Sequence, residues 1–476
     1  MTFRPAVLPF LAATFLLPLG LAANAQEVPV SAQRDLTLTL YQGDLALVHD
    51  SRWLTLKPGE NRLSLMGTSQ RMLPESLQLT GLDDTVRLID MGQSPATLTP
   101  QRLLRDAVGQ RVQLRTVDPA VGEEKLEPAT LLSVEGGLVL DLGGRIVMLP
   151  YDPERIVLEQ REPDLQAEPS LTLRLYGEAA GGQTVTLAYL THGLGWKADY
   201  VAELDADGKH ATLSAYVSVT NGTGTSFKKA KLRLVAGEVR SLTPVQPLPA
   251  PMLRSATAEA APMAMDQAAA APVAISDRYL YDTGLEIDID PAEQRAFVLF
   301  EDRRLPVERL YEFDGLATAQ NIEKSNPAHA AIRLRFTNTP EKGEAQPLPA
   351  GVVRAYEPEK NGPSLFVGED RIPHSPADGS FEVALGEAFD VTATARQVSF
   401  ERLSKEGSYE ATQEVVVTNA KTEAVTVELT GRFAGDWRML DESVPHEKKD
   451  SRTALWRLTV PAGGEVKLDY RVRVNR

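Results

Sequence analysis

The sequence predicts a mainly β protein of antiparallel β-sandwich domains with a small barrel inserted in its N-terminal half. Three observations predict it. Apolar residues recur at a period of two over most of the chain, as in Leu36, Leu38 and Leu40 around Thr37 and Thr39, the pattern of a strand with one buried face. Turn chemistry interrupts these runs at short intervals, in Gln42-Gly43-Asp44, Lys57-Pro58-Gly59 and Gly81-Leu82-Asp83-Asp84. No heptad is sustained anywhere, and one short helical pattern near residue 100 is the exception among the strands.

The N-terminus reads as an export signal. Arg4 precedes an apolar stretch, 6–22, broken by Pro9, Pro18 and Gly20 and followed by Ala23-Asn24-Ala25, so residues 1–25 are expected to be a signal peptide cleaved after Ala25. The stretch is marginal for a spanning helix, no second apolar run follows, and no cysteine is present to carry a lipid. The expected location is periplasmic or extracellular, with no integral membrane segment after cleavage. The lack of cysteine also excludes disulfides, thiolate metal sites and a cysteine nucleophile. A net charge of −15 argues against nucleic acid as a partner, because phosphate affinity needs clustered Lys and Arg. No long basic block is present for docking on anionic lipid.

About 450 residues after cleavage exceed what one core usually holds, so at least two domains are expected. Residues 26–98 with 159–240 read as an N-terminal sandwich region. Within 99–158, Pro100 opens a short helix carrying Leu103, Leu104, Ala107 and Val108 on one face, and five short strands follow. That element order resembles an Sm-like or SH3-like barrel, whose closure removes exposed edges. Residues 241–277, rich in Ala, Pro and Met, read as a disordered linker. Residues 278–476 return to alternation and read as a second sandwich domain, ending on Pro461-Ala462-Gly463-Gly464 and Val466, Leu468 and Tyr470.

Gly193-Leu194-Gly195-Trp196-Lys197-Ala198-Asp199-Tyr200 and the turn Asn221-Gly222-Thr223-Gly224 are followed in order by Leu348-Pro349-Ala350-Gly351-Val352-Val353-Arg354-Ala355-Tyr356, by Leu385-Gly386-Glu387-Ala388-Phe389-Asp390-Val391 and by Val417-Thr418-Asn419-Ala420-Lys421. Over about 171–474 the chain resembles the bacterial domain of unknown function found in mucoidy-inhibitor-A-like proteins. The resemblance implies an exported, β-rich protein with no established activity. Relatives of that kind carry a long coiled coil ahead of the domain; here the barrel pattern stands in its place.

The residues themselves name few candidates for chemistry. Six histidines, at 49, 192, 210, 329, 374 and 446, show no metal-ligand spacing, and no Gly-x-Ser-x-Gly elbow occurs. His192 is the one candidate general base, placed beside the glycine-tryptophan motif. Trp196 and Tyr200 share a strand face, either as core anchors or with Trp196 as a carbohydrate-stacking platform. His192, Trp196 and Tyr200 are therefore the candidate binding residues; no catalytic residue, metal or cofactor is assigned. Gly222-Thr223-Gly224-Thr225-Ser226-Phe227-Lys228-Lys229 lacks the ending of a phosphate loop and reads as a turn. Glu286, Asp288 and Asp290 share a strand face and read as solvated acids in preference to a calcium site. Arg102, Arg105, Arg111 and Arg115 in the barrel region lack interleaved aromatics for RNA.

These readings favour a non-enzymatic envelope protein that binds an envelope protein or glycan, or serves as a structural scaffold. The alternatives are an envelope hydrolase acting on glycan or peptide through His192, and a module that self-assembles or accepts a partner strand at an exposed edge. The sequence leaves the oligomeric state open.

Overall fold

The computed structural model describes residues 25–94, 100–117, 124–158, 169–240, 272–316, 326–359, 362–403 and 407–475. The expected signal peptide, apart from Ala25, and residues 241–271 of the expected linker lie outside them. The protein is mainly β, as its alternation predicts, and its described residues form two compact units: one drawn from within 1–34, 51–70 and 78–187, the other from within 35–50, 71–77 and 188–476.

Two sheets lie wholly within the first unit. One runs in the order Gln26–Val28, Gly59–Met66, Ser170–Gly177, Val86–Ser94. Its alternating leucines, Leu63, Leu65, Leu171, Leu173 and Leu175, are buried. The other is antiparallel, in the order Ile146–Leu149, Leu138–Asp141, Glu124–Ser133, Arg111–Val117, Ile156–Val157. The short helix expected after residue 99 is Pro100–Asp106, and its Leu104 packs with Val112, Leu114, Leu131, Leu138 and Leu140 in one core. Its two end strands are not paired with each other among the described residues.

In the second unit, two long strands each serve two neighbours in succession. Glu293–Phe313 pairs first with His210–Asn221 and then with Ala328–Thr337; Ser380–Arg402 pairs first with Ala328–Thr337 and then with Tyr409–Asn419. Register shifts at Leu213/Ala215 and Ile332/Arg333 interrupt these ladders, and a bulge of that kind adds local twist. The C-terminal part is a sandwich. Tyr409–Asn419 and Glu465–Asn475 contribute Val415, Val417 and Leu468 to its core, and Val425–Arg432 and Thr453–Val460 contribute Val427, Leu429, Trp456 and Leu458.

Two findings depart from the sequence reading. Several pairs are parallel: Leu194–Leu204 with Gly351–Glu357, and Phe227–Ala236 with Gln33–Tyr41. The end of the expected linker is also ordered into sheet, because Val273–Ile275 pairs with Arg278–Ile289, which pairs in turn with Phe227–Ala236. Apolar Val273 and Ile275 there alternate around Ala274, and that short run adds a strand where composition alone suggested none.

On the solvent face of the C-terminal sandwich, Glu410 accepts hydrogen bonds from Arg473 Nε at 2.6 Å and Arg471 Nε at 3.1 Å. The Arg473 guanidinium, and then that of Arg471, hold its carboxyl below the usual glutamate range. A folded-state pKa below the unfolded value of about 4.3 means stability that is present above that value and lost as pH falls through the folded one. Glu410→Gln is therefore expected to melt lower than the parent at neutral pH, with the gap closing on acidification below about pH 4. Melting curves across that range check it; a gap unchanged by pH would refute the coupling.

Candidate functional site

The sequence motif of residues 192–200 begins at a turn where two glycines admit close backbone approach. Gly193 has φ +89°, and a Cβ there would stand 2.8 Å from the Gly222 carbonyl oxygen. Gly195 is tighter still, since a Cβ would fall 1.7 Å from the Gly43 carbonyl oxygen. Gln42 bridges Trp196 beside that contact. The motif thus clasps the Gln42-Gly43-Asp44 turn, which the sequence marked only as a loop.

Asp44 is the hub of this clasp. Its Oδ1 accepts the Gly193 N–H at 2.5 Å, its Oδ2 lies 3.4 Å from Arg71 Nη2, and its main-chain oxygen lies 2.6 Å from His192 Nδ1. A carbonyl oxygen only accepts, so Nδ1 carries the imidazole proton and Nε2 is the bare nitrogen. The Asp44 carboxylate stands 3.7 Å from Nδ1. His192 is 7% exposed, and its Nε2 is buried with no hydrogen-bond partner among the described residues. A general base needs its bare nitrogen within reach of the proton it takes; here that nitrogen faces the interior.

Trp196 and Tyr200 lie on the buried face of Leu194–Leu204 with Leu194, Ala198 and Ala202. Trp196 is 1% exposed, and its Nε1 donates to the Val235 carbonyl at 3.3 Å. The Tyr200 hydroxyl donates to the Pro349 carbonyl at 2.7 Å. Burial pushes its phenol well above the ordinary range, so it remains a neutral donor. Gln42 Nε2 and the Tyr281 hydroxyl likewise take the carbonyls of Ala350 and Pro347, at 2.9 Å each. The Pro347-Leu348-Pro349-Ala350 segment is therefore held by side chains, and it feeds Gly351 into parallel register with Ala198. A Cβ at Gly351 would stand 2.3 Å from the Ala198 oxygen. The structure thus places Trp196 and Tyr200 on one strand face and His192 in the turn before that strand, each hydrogen-bonded to the main chain of a different segment.

The other charged groups are similarly engaged. Lys228 pairs with Asp290 at 2.7 Å and the Lys229 N–H donates to Asp288 at 2.7 Å, so two of the three alternating acids have local partners. Asp205, Asp207 and His210 offer ligand atoms within 4.8 Å of one another in the turn after Leu194–Leu204. Arg304 supplies the positive charge there, donating to Asp205 Oδ2 from Nε at 3.0 Å and Nη2 at 2.5 Å and to Glu341 at 2.6 Å. Arg102 and Arg115 pair with Asp106 and Glu124, each at 3.4 Å.

Sequence reasoning missed Asp44 and Arg71, whose only local signals were a Gln-Gly-Asp turn and an isolated basic residue. It also missed a recurrence. The three Thr-Asn pairs of the chain, at 220–221, 337–338 and 418–419, each put a buried Asn at a strand end whose amide donates to main-chain carbonyls of the following loop or beyond.

The arrangement defines a class, a β-sheet protein whose motif residues clasp turns and fix strand register. The chain belongs to the DUF4139 family, a domain of unknown function, which it matches over residues 185–476. That span contains His192, Trp196, Tyr200 and Gly351, while Asp44 and Arg71 lie outside it. No curated protein matches the chain. Among the described residues, no helix is long and apolar enough to cross a membrane.

Proposed function

We propose that the protein is an exported envelope component of the mucoidy-inhibitor-A-like type, acting as a binding or structural scaffold and catalysing no reaction of its own. The observation that carries the reading is His192. The one residue nominated for proton transfer spends Nδ1 on the Asp44 carbonyl and turns Nε2 into the interior. The order of motifs from Gly193 to Lys421 supports the family type, and the apolar stretch ending at Ala25 supports export. In this reading the helix and five strands of residues 100–157 form an Sm-like or SH3-like module that presents a surface.

Fractionation with mass spectrometry of the N-terminus tests the location: a chain beginning at Gln26 in the periplasmic or extracellular fraction is expected, and an unprocessed cytosolic chain would overturn it. Incubation of the purified chain with peptidoglycan fragments and with casein tests the absence of catalysis. Turnover that vanishes in a folded His192→Ala variant would overturn that part.

A further inference from the structure

The five-stranded sheet of residues 111–157 ends on an open apolar edge. Ile146–Leu149 is its end strand and pairs with Leu138–Asp141 alone among the described residues. Across the Gly143-Gly144 turn, the Leu142 N–H donates to the Arg145 carbonyl at 2.9 Å. Hydrogen-bonded pairs alternate along an antiparallel ladder, so Val147 and Leu149 direct their main-chain groups at Leu140 and Leu138, and the N–H and C=O of Ile146 and Met148 point away from the sheet. The same two residues carry apolar side chains that are 57% and 78% exposed. Natural edge strands are blunted by charge, proline or a bulge. Three longer end strands of this chain follow that rule: Val86–Ser94 carries Arg87 and Asp90, Leu365–Ile372 carries Glu369, Asp370 and Arg371, and Asp436–Glu442 carries Arg438 and Asp441, each with a register shift against its neighbour. Ile146–Leu149 has no charge, no proline and an unbroken register.

We infer that this edge pairs with the same edge of a second copy of the chain, the two strands running antiparallel about a two-fold axis at Val147. Only residues whose main-chain groups point outward hydrogen-bond across the new ladder, so Ile146 and Met148 carry it. The register centred on Val147 sets Ile146 of each copy opposite Met148 of the other, which makes two hydrogen-bonded pairs and two apolar cross-strand contacts. A register centred on Ile146 sets Met148 against Gly144, outside the strand, and one centred on Met148 sets Ile146 against Pro150, which has no N–H to give. Charge is compatible with self-pairing. The flanking Arg145 falls opposite Leu149 of the other copy, and the two Arg145 stand four residues apart along the ladder, about 13 Å, beyond the screening length of about 8 Å at physiological salt. The sheet's other edge, Ile156–Val157, is two residues long and offers one outward residue, which favours the two-fold pair over a head-to-tail ring. A four-residue edge buries less than the roughly 1,200–2,000 Å² of a stable interface, so the dimer is weak and depends on concentration. The inference stands on this edge alone, independent of the compartment and of the absence of catalysis.

Sedimentation of the full chain tests it, with a dimer expected at a Kd on the order of 0.1 mM. Met148→Lys should weaken that dimer about tenfold or more, because a charge then stands on the edge, and should leave the melting temperature unchanged, because the side chain is exposed in the single chain. Adding Ile146→Glu to Met148→Lys should restore the dimer, since each Glu then faces a Lys across the two-fold, whereas registers centred on either residue would oppose like charges. The chain has no cysteine, so Val147→Cys supplies one thiol that forms a disulfide only with another copy. Facing Cα atoms of a non-hydrogen-bonded pair stand about 4.5 Å apart, a distance a disulfide spans. Mild oxidation should therefore cross-link Val147→Cys far more than Glu135→Cys, an exposed control in the loop before Leu138–Asp141. A parent chain that stays monomeric up to about 1 mM, assemblies larger than a dimer, equal cross-linking at the two cysteines, or a double variant no tighter than Met148→Lys would each overturn the inference.

Discussion

Gly195→Ala is expected to lower the melting temperature by about 10 °C or more, or to leave the chain insoluble. An alanine Cβ would arrive 1.7 Å from the Gly43 carbonyl oxygen, whereas real Cβ contacts essentially never fall under 3.0 Å. The Gly43 oxygen is backbone, so no rotamer change relieves the clash, and the strand and the 42–44 turn must separate by more than an ångström. The Asp44 contacts to Gly193 and His192, at 2.5 and 2.6 Å, lie beside that contact and would open with it. Overpacking costs about 1–3 kcal/mol, and each buried group left unpaired about the same again. The total, about 4–6 kcal/mol, rivals the whole stability of many domains. Gly92→Ala, in a strand where an added Cβ meets nothing within 4 Å, is the control expected to melt like the parent. A Gly195→Ala chain that also melts like the parent would show that the clasp holds nothing together.

That contact shows what the sequence can and cannot display. The face of Leu194–Leu204 is legible because side chains alternate along a strand, and the residues that alternate in sequence, Leu194, Trp196, Ala198, Tyr200 and Ala202, are the ones buried. The reason for glycine at 195 is not legible. Its partner Gly43 is far away in sequence, and a close backbone approach leaves no mark on the residue approached. His192 misleads for the same reason: the glycines that follow it, at 193 and 195, suggest an open turn, whereas here they let the 42–44 segment approach and cover the ring. Parallel pairs such as Ala198 with Gly351 join distant segments without a hairpin, so turn chemistry cannot announce them.

Asn419→Ala is expected to destabilise the C-terminal sandwich by about 3–4 kcal/mol. The Asn419 side chain is fully buried; its Nδ2 donates to the carbonyls of Glu423 at 2.8 Å and Pro461 at 3.0 Å, and its Oδ1 accepts the Lys421 N–H at 3.0 Å. One side chain thus fastens two loops to a strand end, and alanine strands polar groups on both. Asn221 does equivalent work, donating to the Thr225 carbonyl at 2.8 Å and accepting from the Thr223 hydroxyl at 2.7 Å. A sharper test is Asn419→Asp, which is nearly isosteric but brings a carboxylate against carbonyl oxygens. The charged form is disfavoured there, so the folded-state pKa rises above the unfolded value of about 3.9. Between the two values the folded chain holds the extra proton, and stability falls as pH rises. Asn419→Asp should therefore approach the parent's stability below about pH 4, where a protonated carboxyl can donate in place of the amide, and fall toward Asn419→Ala at neutral pH. Denaturation midpoints of the three chains at both pH values decide it. An Asp variant equally unstable at both would mean that shape, and not the donated hydrogen bond, is what the buried amide provides.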